Sequence, residues 1–256
     1  MQDDPFPRGF GAKFNPSDAG DRHLFGHNSG PVPFVVVKFH RSKRFVKVPR
    51  WGLLSPEQNL YLVTYEKDDH IVGRTPSDEV DRVEELEDVL QGAFLGDRFT
   101  YEGMNRRDLA TEIDESVQRQ LAANRLLEER GIDVPQYPCI MGWKPWHYER
   151  CRILLDEIST SVGFDATQYN SKYKLTKDVR CLDDVLSPER IFVNGRVSPD
   201  WLRMLPKTVV ACSGAYNIRE ECKDANGTPS RENLPNVAQK RVNALNSWQS
   251  DINEFL

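Results

Sequence analysis

The chain has 256 residues, of which 39% are apolar and 10% aromatic. This apolar content can fill the core of one large domain or two small ones, which excludes intrinsic disorder of the whole chain. The 34 basic and 39 acidic residues leave a net charge of −5, so the overall field does not attract nucleic acid or an anionic membrane, and any such contact needs a local basic patch.

Nothing in the sequence indicates export, a membrane span or a bound metal. No window approaches the roughly 18 unbroken apolar residues of a spanning helix, and the first ten residues are acidic and interrupted by proline. The five cysteines have unrelated spacings and form no CxxC pair, so neither a disulfide framework nor a zinc site is predicted. We therefore expect a cytoplasmic protein that contacts no membrane and needs no cofactor.

The amino-terminal part gives few regular patterns. Residues 1–30 are rich in Gly, Pro, Asp and Asn without a sustained period, which predicts a loose arm ahead of a single domain over 31–256. Strands are predicted over 33–39, 44–48 and 60–65. Apolar residues recur at helical spacing over 77–90 behind an acidic start, which predicts a helix.

The pattern becomes regular after residue 106. Helices are predicted over 106–130, 145–158, 199–205 and 234–255, and strands over 136–141, 161–166, 190–193 and 207–212. Short apolar strands that alternate with amphipathic helices are typical of parallel βα units. The predicted fold is a (β/α)8 barrel of the TIM type, incomplete or degenerate in its N-terminal half, followed by a C-terminal helical segment.

Ligands of such barrels lie at the carboxyl ends of the strands, so the residues after each strand are the candidates for chemistry. Four junctions qualify: 141–143, 163–169, 194–196 and 212–216. All four carry a glycine, which permits either close approach to a ligand or simply a tight corner.

Taken in order, these junctions resemble the strand ends of the queuine and archaeosine tRNA-ribosyltransferase (tRNA-guanine transglycosylase) superfamily. The stretch PCIMGWKPWHYERC (138–151) is similar to the family's V-Q-G-W-x-P-x-x-Y strand, turn and helix. SVGFD (161–165), IFVNGR (191–196) and VACSGAY (210–216) are similar to its V-G-x-G, h-x-G and A-D-S-x-A-W strands. Among the branches of this superfamily, these motifs most resemble the branch that inserts 7-deazaguanine into DNA.

The resemblance implies a barrel enzyme that exchanges a guanine in DNA or tRNA for a free 7-deazapurine base. In this reaction one carboxylate attacks C1′ of the sugar and a second carboxylate manages protons, through an oxocarbenium-like transition state. The family pattern would place the base-binding glutamine at Met141 and the nucleophilic aspartate at Cys212. This sequence departs from the family at both positions.

Three interpretations of these departures stay open. Cys212 is either a thiol nucleophile or a buried, inert cysteine. Asp165 supplies the carboxylate while Gln168 recognises the base, or Asp165 is an ordinary loop or cap residue. The third interpretation is a catalytically inactive relative that binds nucleic acid or a partner protein of a modification pathway. For the second carboxylate, Asp68 or Asp69 competes with an ordinary polar turn.

The candidate site residues follow from the junctions. The predicted catalytic residues are Asp165 and Cys212. The predicted substrate-binding residues are Met141, Gly142, Trp143, Gly163, Gln168, Gly195, Ser213 and Tyr216.

A basic segment with interleaved aromatic residues is the candidate contact with DNA or tRNA. Basic groups neutralise phosphates, and exposed rings stack on unpaired bases. The alternative is a two-stranded edge whose charges discourage association. The predicted nucleic-acid-binding residues are Lys38, Arg41, Lys43, Arg44 and Lys47.

Overall fold

The computed structural model describes residues 5–48, 52–66, 68–98, 100–101 and 103–247, excluding the side chains of residues 68, 69 and 216. Eight parallel strands close into a barrel in chain order, and the first strand pairs with both the second and the eighth. The expected (β/α)8 barrel is confirmed, and its N-terminal half is complete. The strands are β1 (Gly9–Lys13), β2 (Phe34–Lys38), β3 (Asn59–Val63), β4 (Leu90–Leu95), β5 (Gln136–Ile140), β6 (Ser161–Asp165), β7 (Arg190–Asn194) and β8 (Val209–Gly214).

Helices follow the strands and cover the outside of the barrel. They are α1 (Ala19–Phe25), α2 (Phe39–Lys47), α3 (Asp68–Ile71), α4 (Pro76–Glu84), α5 (Arg106–Arg130), α6 (Pro145–Glu157), α7 (Lys172–Leu186), α8 (Pro199–Leu202), α9 (Tyr216–Glu221) and α10 (Leu234–Asn246). Within the described ranges, none of them combines the length and the apolar content that crossing a bilayer requires.

The prediction of a loose arm over 1–30 is wrong for the described residues, because β1 and α1 belong to the barrel. The strand is hard to recognise since it is short and carries Gly9 and Gly11 among its five residues. Packing explains Gly11: a Cβ there would lie 2.1 Å from the Phe34 ring. Gly11 lets β1 fit beside the Phe34 ring. Because glycine is not apolar in the pattern, it also interrupts the alternation by which a strand is recognised in the sequence.

Two further predictions near the N terminus need correction. Residues 44–48 are not a strand, because residues 44–47 are the end of α2 and Val48 is its C-cap. The buried residues of α2, Ser42 and Phe45, stand three apart, as one face of a helix requires. The helix predicted over 77–90 ends at Glu84, and Leu90 already begins β4. Apolar side chains of the intervening turn continue the helical spacing by coincidence, so the fourth strand is hidden.

The interior of the barrel is filled with aromatic rings. Phe34, Phe94 and Phe192 pack together, with ring centroids 6.2 Å apart for Phe34 and Phe192 and 4.9 Å for Phe94 and Phe192. Phe6, which precedes β1, adds an edge contact with Tyr137 at 5.0 Å. The amino-terminal end of the barrel is therefore packed, as in other barrels of this class, and the open space lies at the carboxyl ends of the strands.

Candidate active site at the carboxyl end of the barrel

A cavity of about 820 Å³ opens among the ends of β2 to β6. Its walls combine aromatic rings with a few charged groups, which is typical of ligand sites. The rings belong to Tyr65, Tyr101, Trp143, Phe164 and Tyr169, and the carboxyl groups to Glu66, Asp97 and Asp165.

Asp165, the last residue of β6, is oriented by the two strands that follow. One of its carboxylate oxygens accepts a hydrogen bond from the Asn194 amide at 2.7 Å, and the other accepts from the Thr167 hydroxyl. The buried Ser213 hydroxyl donates to the Asn194 oxygen at 3.0 Å. A chain of polar groups from β8 through β7 thus holds the Asp165 carboxylate at the edge of the cavity.

Asp97 lies across the cavity, after β4, and its backbone is firmly held. The preceding Gly96 has a φ of +79°, and a Cβ there would lie 2.4 Å from Gln120. The Gly96 N–H donates to Glu79 at 2.7 Å, and the Asp97 N–H donates to the Thr64 hydroxyl at 3.1 Å. These bonds fix the turn that brings Asp97 to the cavity.

The environment of the Asp97 carboxyl group favours its neutral form. Its side chain accepts a backbone N–H from Glu66 at 3.3 Å, and no described cation lies within ion-pair distance. Burial raises the pKa of Asp97 well above its ordinary value, and the negative charge of Asp165 raises it further. Asp97 is buried and stays protonated to a higher pH, whereas Asp165 is held by hydrogen-bond donors. Two carboxyl groups in such different environments of one cavity can act as an acid and as a carboxylate, respectively.

Glu66 is the third carboxyl group of the cavity wall, and both of its oxygens have polar partners. One oxygen contacts the His40 ring nitrogen at 2.7 Å, and the other accepts from Arg74 at 2.9 Å. Arg74 also bonds Glu79 at 2.8 Å. Through Arg74 and Glu79, Glu66 is thus connected to the Gly96 N–H in the turn that carries Asp97.

Four predicted substrate-binding residues line this cavity: Met141, Gly142, Trp143 and Gln168. Gly142 has a conformational reason to be glycine, since its φ is +102° and a Cβ would lie 2.4 Å from the His147 side chain. The buried His147 ring nitrogen accepts the Trp143 N–H at 2.8 Å. The turn after β5 is therefore rigid and presents the Trp143 ring to the cavity.

Three other predicted residues act from behind the cavity wall. A Cβ on Gly163 would lie 2.5 Å from both Tyr65 and Phe94, so this glycine makes room for rings inside the barrel. Gly195 packs against the Thr167 backbone, which a Cβ would approach to 2.8 Å. Ser213 supports Asn194, as described above. Tyr216 begins α9, and its side chain lies outside the described part of the structure, as do those of Asp68 and Asp69.

Cys212 lies on the other face of the sheet, which corrects the hypothesis of a thiol nucleophile. It is fully buried in the layer between the strands and the outer helices, whereas its neighbour Ala211 belongs to the interior of the barrel. Burial raises the pKa of the Cys212 thiol to about 12, with the Arg241 charge acting in the opposite direction. The thiol therefore has neither the position nor the ionisation of a nucleophile.

The basic segment divides into two parts. Lys38 ends β2 and lines the cavity. Arg41, Lys43, Arg44 and Lys47 are exposed on α2, which has no acidic residue. The segment is thus a basic helix that begins at the rim of the cavity, and the expected two-stranded edge is absent from this described stretch.

Asp97 is the functional candidate that the sequence reasoning missed. A glycine and an aspartate directly after an apolar run, as in Phe94-Leu95-Gly96-Asp97, are the pattern that could have indicated it. The pattern is hard to recognise because the helical spacing over 77–90 runs into β4 and hides the strand.

No family model and no curated protein matches the sequence. Solved structures match its fold. The catalytic domain of a hyperthermophilic chitinase from Pyrococcus furiosus is 10% identical, with a TM-score of 0.56 over 95% of this chain and 97% of that one. Orotidine 5′-monophosphate decarboxylase from Methanocaldococcus jannaschii is 10% identical, with a TM-score of 0.51 over 91% and 98%. A designed cube-shaped protein cage is 14% identical, with a TM-score of 0.52 over 98% and 76%. At such low identity these likenesses show the barrel fold alone.

Proposed function

We propose that this protein is a pentosyltransferase that exchanges a guanine in DNA or tRNA for a free 7-deazaguanine-type base. The observation that carries the proposal is the pair of carboxyl groups, Asp165 and Asp97, in one cavity but in contrasting environments. Glycosyl transfer needs such a pair. The choice of base rests on the resemblance of the strand ends to the transglycosylase superfamily.

In the proposed reaction Asp165 is the nucleophile. Its carboxylate oxygen forms an ester bond to C1′ while the bond from C1′ to N9 of guanine breaks, and the electron pair stays on the base. Asp97 donates its proton to the departing guanine. In the second half, the incoming base loses a proton to the Asp97 carboxylate, its nitrogen bonds C1′, and the Asp165 oxygen leaves as carboxylate.

The rings of the cavity fit a base that has left its stack. Trp143 lies on the turn after β5. Tyr169 follows β6, and its hydroxyl donates a hydrogen bond to the Asp178 carboxylate at 2.8 Å. Flat rings on neighbouring turns are suitable walls for a flipped purine. We assign the reading of the base edge to Gln168, which lines the cavity and whose amide donates to the Thr100 carbonyl at 3.5 Å.

The direct test is incorporation of radiolabelled guanine or a 7-deazaguanine into duplex DNA, single-stranded DNA and tRNA. We expect incorporation by the wild type, a loss of at least about a hundredfold in Asp165→Asn and in Asp97→Asn, and full activity in Cys212→Ala. Full activity of Asp165→Asn would remove this residue from the chemistry. Retention of a polymer on a filter without any incorporation would favour the inactive, nucleic-acid-binding relative.

A further inference from the structure

We infer that the mouth of the barrel carries an anion subsite, formed by Lys13, Lys38 and Arg196, that binds a phosphate group of the substrate. The inference deepens the proposed function and rests on it for one point, that the phosphate belongs to the nucleotide whose base is exchanged.

The three cations come from adjacent parts of the closed barrel. Lys13 and Lys38 end the paired strands β1 and β2, and Arg196 follows β7, which is separated from β1 only by β8. The residues just before the two lysines, Ala12 and Val37, belong to the outer layer under the helices. Because side chains alternate along a strand, both lysines point to the inner side.

Within the described part of the chain, neither lysine has a carboxylate within 4.0 Å or a hydrogen-bonded partner for its ammonium group. Both side chains are half-buried. Arg196 donates its Nε–H to the Tyr169 carbonyl and lies over the Trp201 ring at 5.5 Å, which leaves its terminal nitrogens for another acceptor.

The electrostatics show that the cations influence one another. Burial, together with the charges of Lys38 and Arg196, lowers the pKa of Lys13 to about 8, while the charge of Asp165 acts in the opposite direction. Half-buried like charges without paired acids cost folding free energy. An anion between them would remove that cost, and a phosphate offers several acceptor oxygens to amines and a guanidinium together.

The first experiment is calorimetric titration of the intact protein with inorganic phosphate at pH 7. We expect saturable binding that weakens at least about tenfold in Lys13→Met and in Lys38→Met. Lys240→Met, which removes an exposed lysine of α10, should leave it unchanged. Thermal unfolding verifies that the variants fold. Equal binding by all four proteins, or none by the wild type, would overturn the inference.

The pH dependence gives an independent check on Lys13. As the pH rises from 7 to 9.5, Lys13 loses its proton through a pKa of about 8, so phosphate binding should weaken in the wild type. Phosphate itself gains negative charge over part of this range, which alone would strengthen binding. Binding that strengthens with pH would therefore contradict a role for Lys13.

Asp165→Asn separates this inference from the proposed function. The variant should lose base exchange yet bind phosphate more tightly, because a negative charge near Lys13 is removed. Base exchange by the wild type without phosphate binding would leave the function and overturn the subsite. Phosphate binding that depends on the lysines, without exchange in any polymer, would leave the subsite and overturn the function.

The source of the phosphate is decided by comparing guanosine, its 5′-monophosphate and a guanine-containing trinucleotide. If only the monophosphate binds more tightly than guanosine, the subsite is assigned to a free nucleotide. If only the trinucleotide binds more tightly than guanosine, the subsite is assigned to the polymer backbone. Tighter binding of both assigns it to the phosphate common to them. Equal affinity for all three compounds would contradict the subsite.

Discussion

The Asn194 amide nitrogen lies 2.7 Å from an Asp165 carboxylate oxygen, although the two residues belong to different strands, β7 and β6. The Asp165 carboxylate determines the orientation of this amide, because an ionised carboxylate only accepts hydrogen bonds and the NH₂ group must therefore face it. The amide oxygen then faces Ser213 and accepts its hydroxyl at 3.0 Å. The carboxylate proposed as nucleophile is thus aimed by buried side chains.

Replacement of Asn194 by alanine should lower kcat of base exchange by about ten- to a hundredfold, because the Asp165 carboxylate loses its positioning donor. KM for the polymer should change little. The side chain is fully buried, so we also expect a loss of about 1 to 3 kcal/mol in stability. Ser213→Ala, which removes only the outer bond of the chain, should have a smaller effect on kcat. An equal loss in both variants would contradict the positioning role of Asn194.

Replacement of Asp97 by asparagine should change how stability depends on pH. The folded protein raises the pKa of Asp97 above its ordinary value of 3.8, so its contribution is complete below that pH and is lost as pH rises through the folded pKa. The gain of Asp97→Asn over the wild type should therefore grow above pH 3.8, by up to about 1.4 kcal/mol per pH unit.

Urea unfolding at a series of pH values measures this difference. Asp200→Asn, at an exposed position of α8, is the control and should show no comparable trend. A pH-independent difference between Asp97→Asn and the wild type would contradict the buried, neutral state of this carboxyl group.

The cysteines should differ in their reaction with iodoacetamide. Cys181 is half-buried, whereas the other four, Cys212 included, are buried. Because burial also raises the pKa of Cys212 to about 12, we expect Cys181 to be alkylated first in the folded protein at neutral pH. Peptide mass spectrometry identifies the site. Early labelling of Cys212 would mean that the thiol reaches solvent after all.

Replacement of Gly163 by alanine should destabilise the barrel by about 1 to 3 kcal/mol, because the new methyl group would overlap Tyr65 and Phe94. Gly30→Ala is the matched control, since a Cβ at residue 30 meets no atom within 4 Å. Thermal unfolding compares the two variants. Equal melting temperatures would show that the rings can yield without cost.

Removal of three charges from α2, as Arg41→Gln, Lys43→Gln and Arg44→Gln together, should weaken binding of DNA or tRNA. The slope of log K against log salt concentration should fall by up to about 3 for duplex DNA, because fewer counterions are released. A triple variant at exposed positions elsewhere, Lys177→Gln with Lys223→Gln and Lys240→Gln, controls for net charge. Filter binding at several salt concentrations measures this slope for both triple variants. Equal slopes of the two variants would remove α2 from the interface.

The sequence alone determined the fold class and the part of the cavity wall that follows β5 and β6. From residue 106 onward, the alternation of apolar strands and amphipathic helices predicts parallel βα units, and the rule that ligands lie at strand ends selects Trp143, Asp165 and Gln168 for the rim. These features are local. Backbone periodicity and the turn at Gly142 are visible in short windows of sequence, so they need no knowledge of tertiary contacts.

Only the tertiary structure decided which side chains meet. Parallel strands are apolar on both faces, so the sequence does not tell whether Cys212 or Ser213 faces the interior, and a shift of one residue exchanges them. Asp97 and Asp165 share a cavity because the barrel closes and brings the ends of β4 and β6 to one opening. Closure also explains β1: its Gly11 is selected by the Phe34 ring of the neighbouring strand, a contact that no local pattern contains.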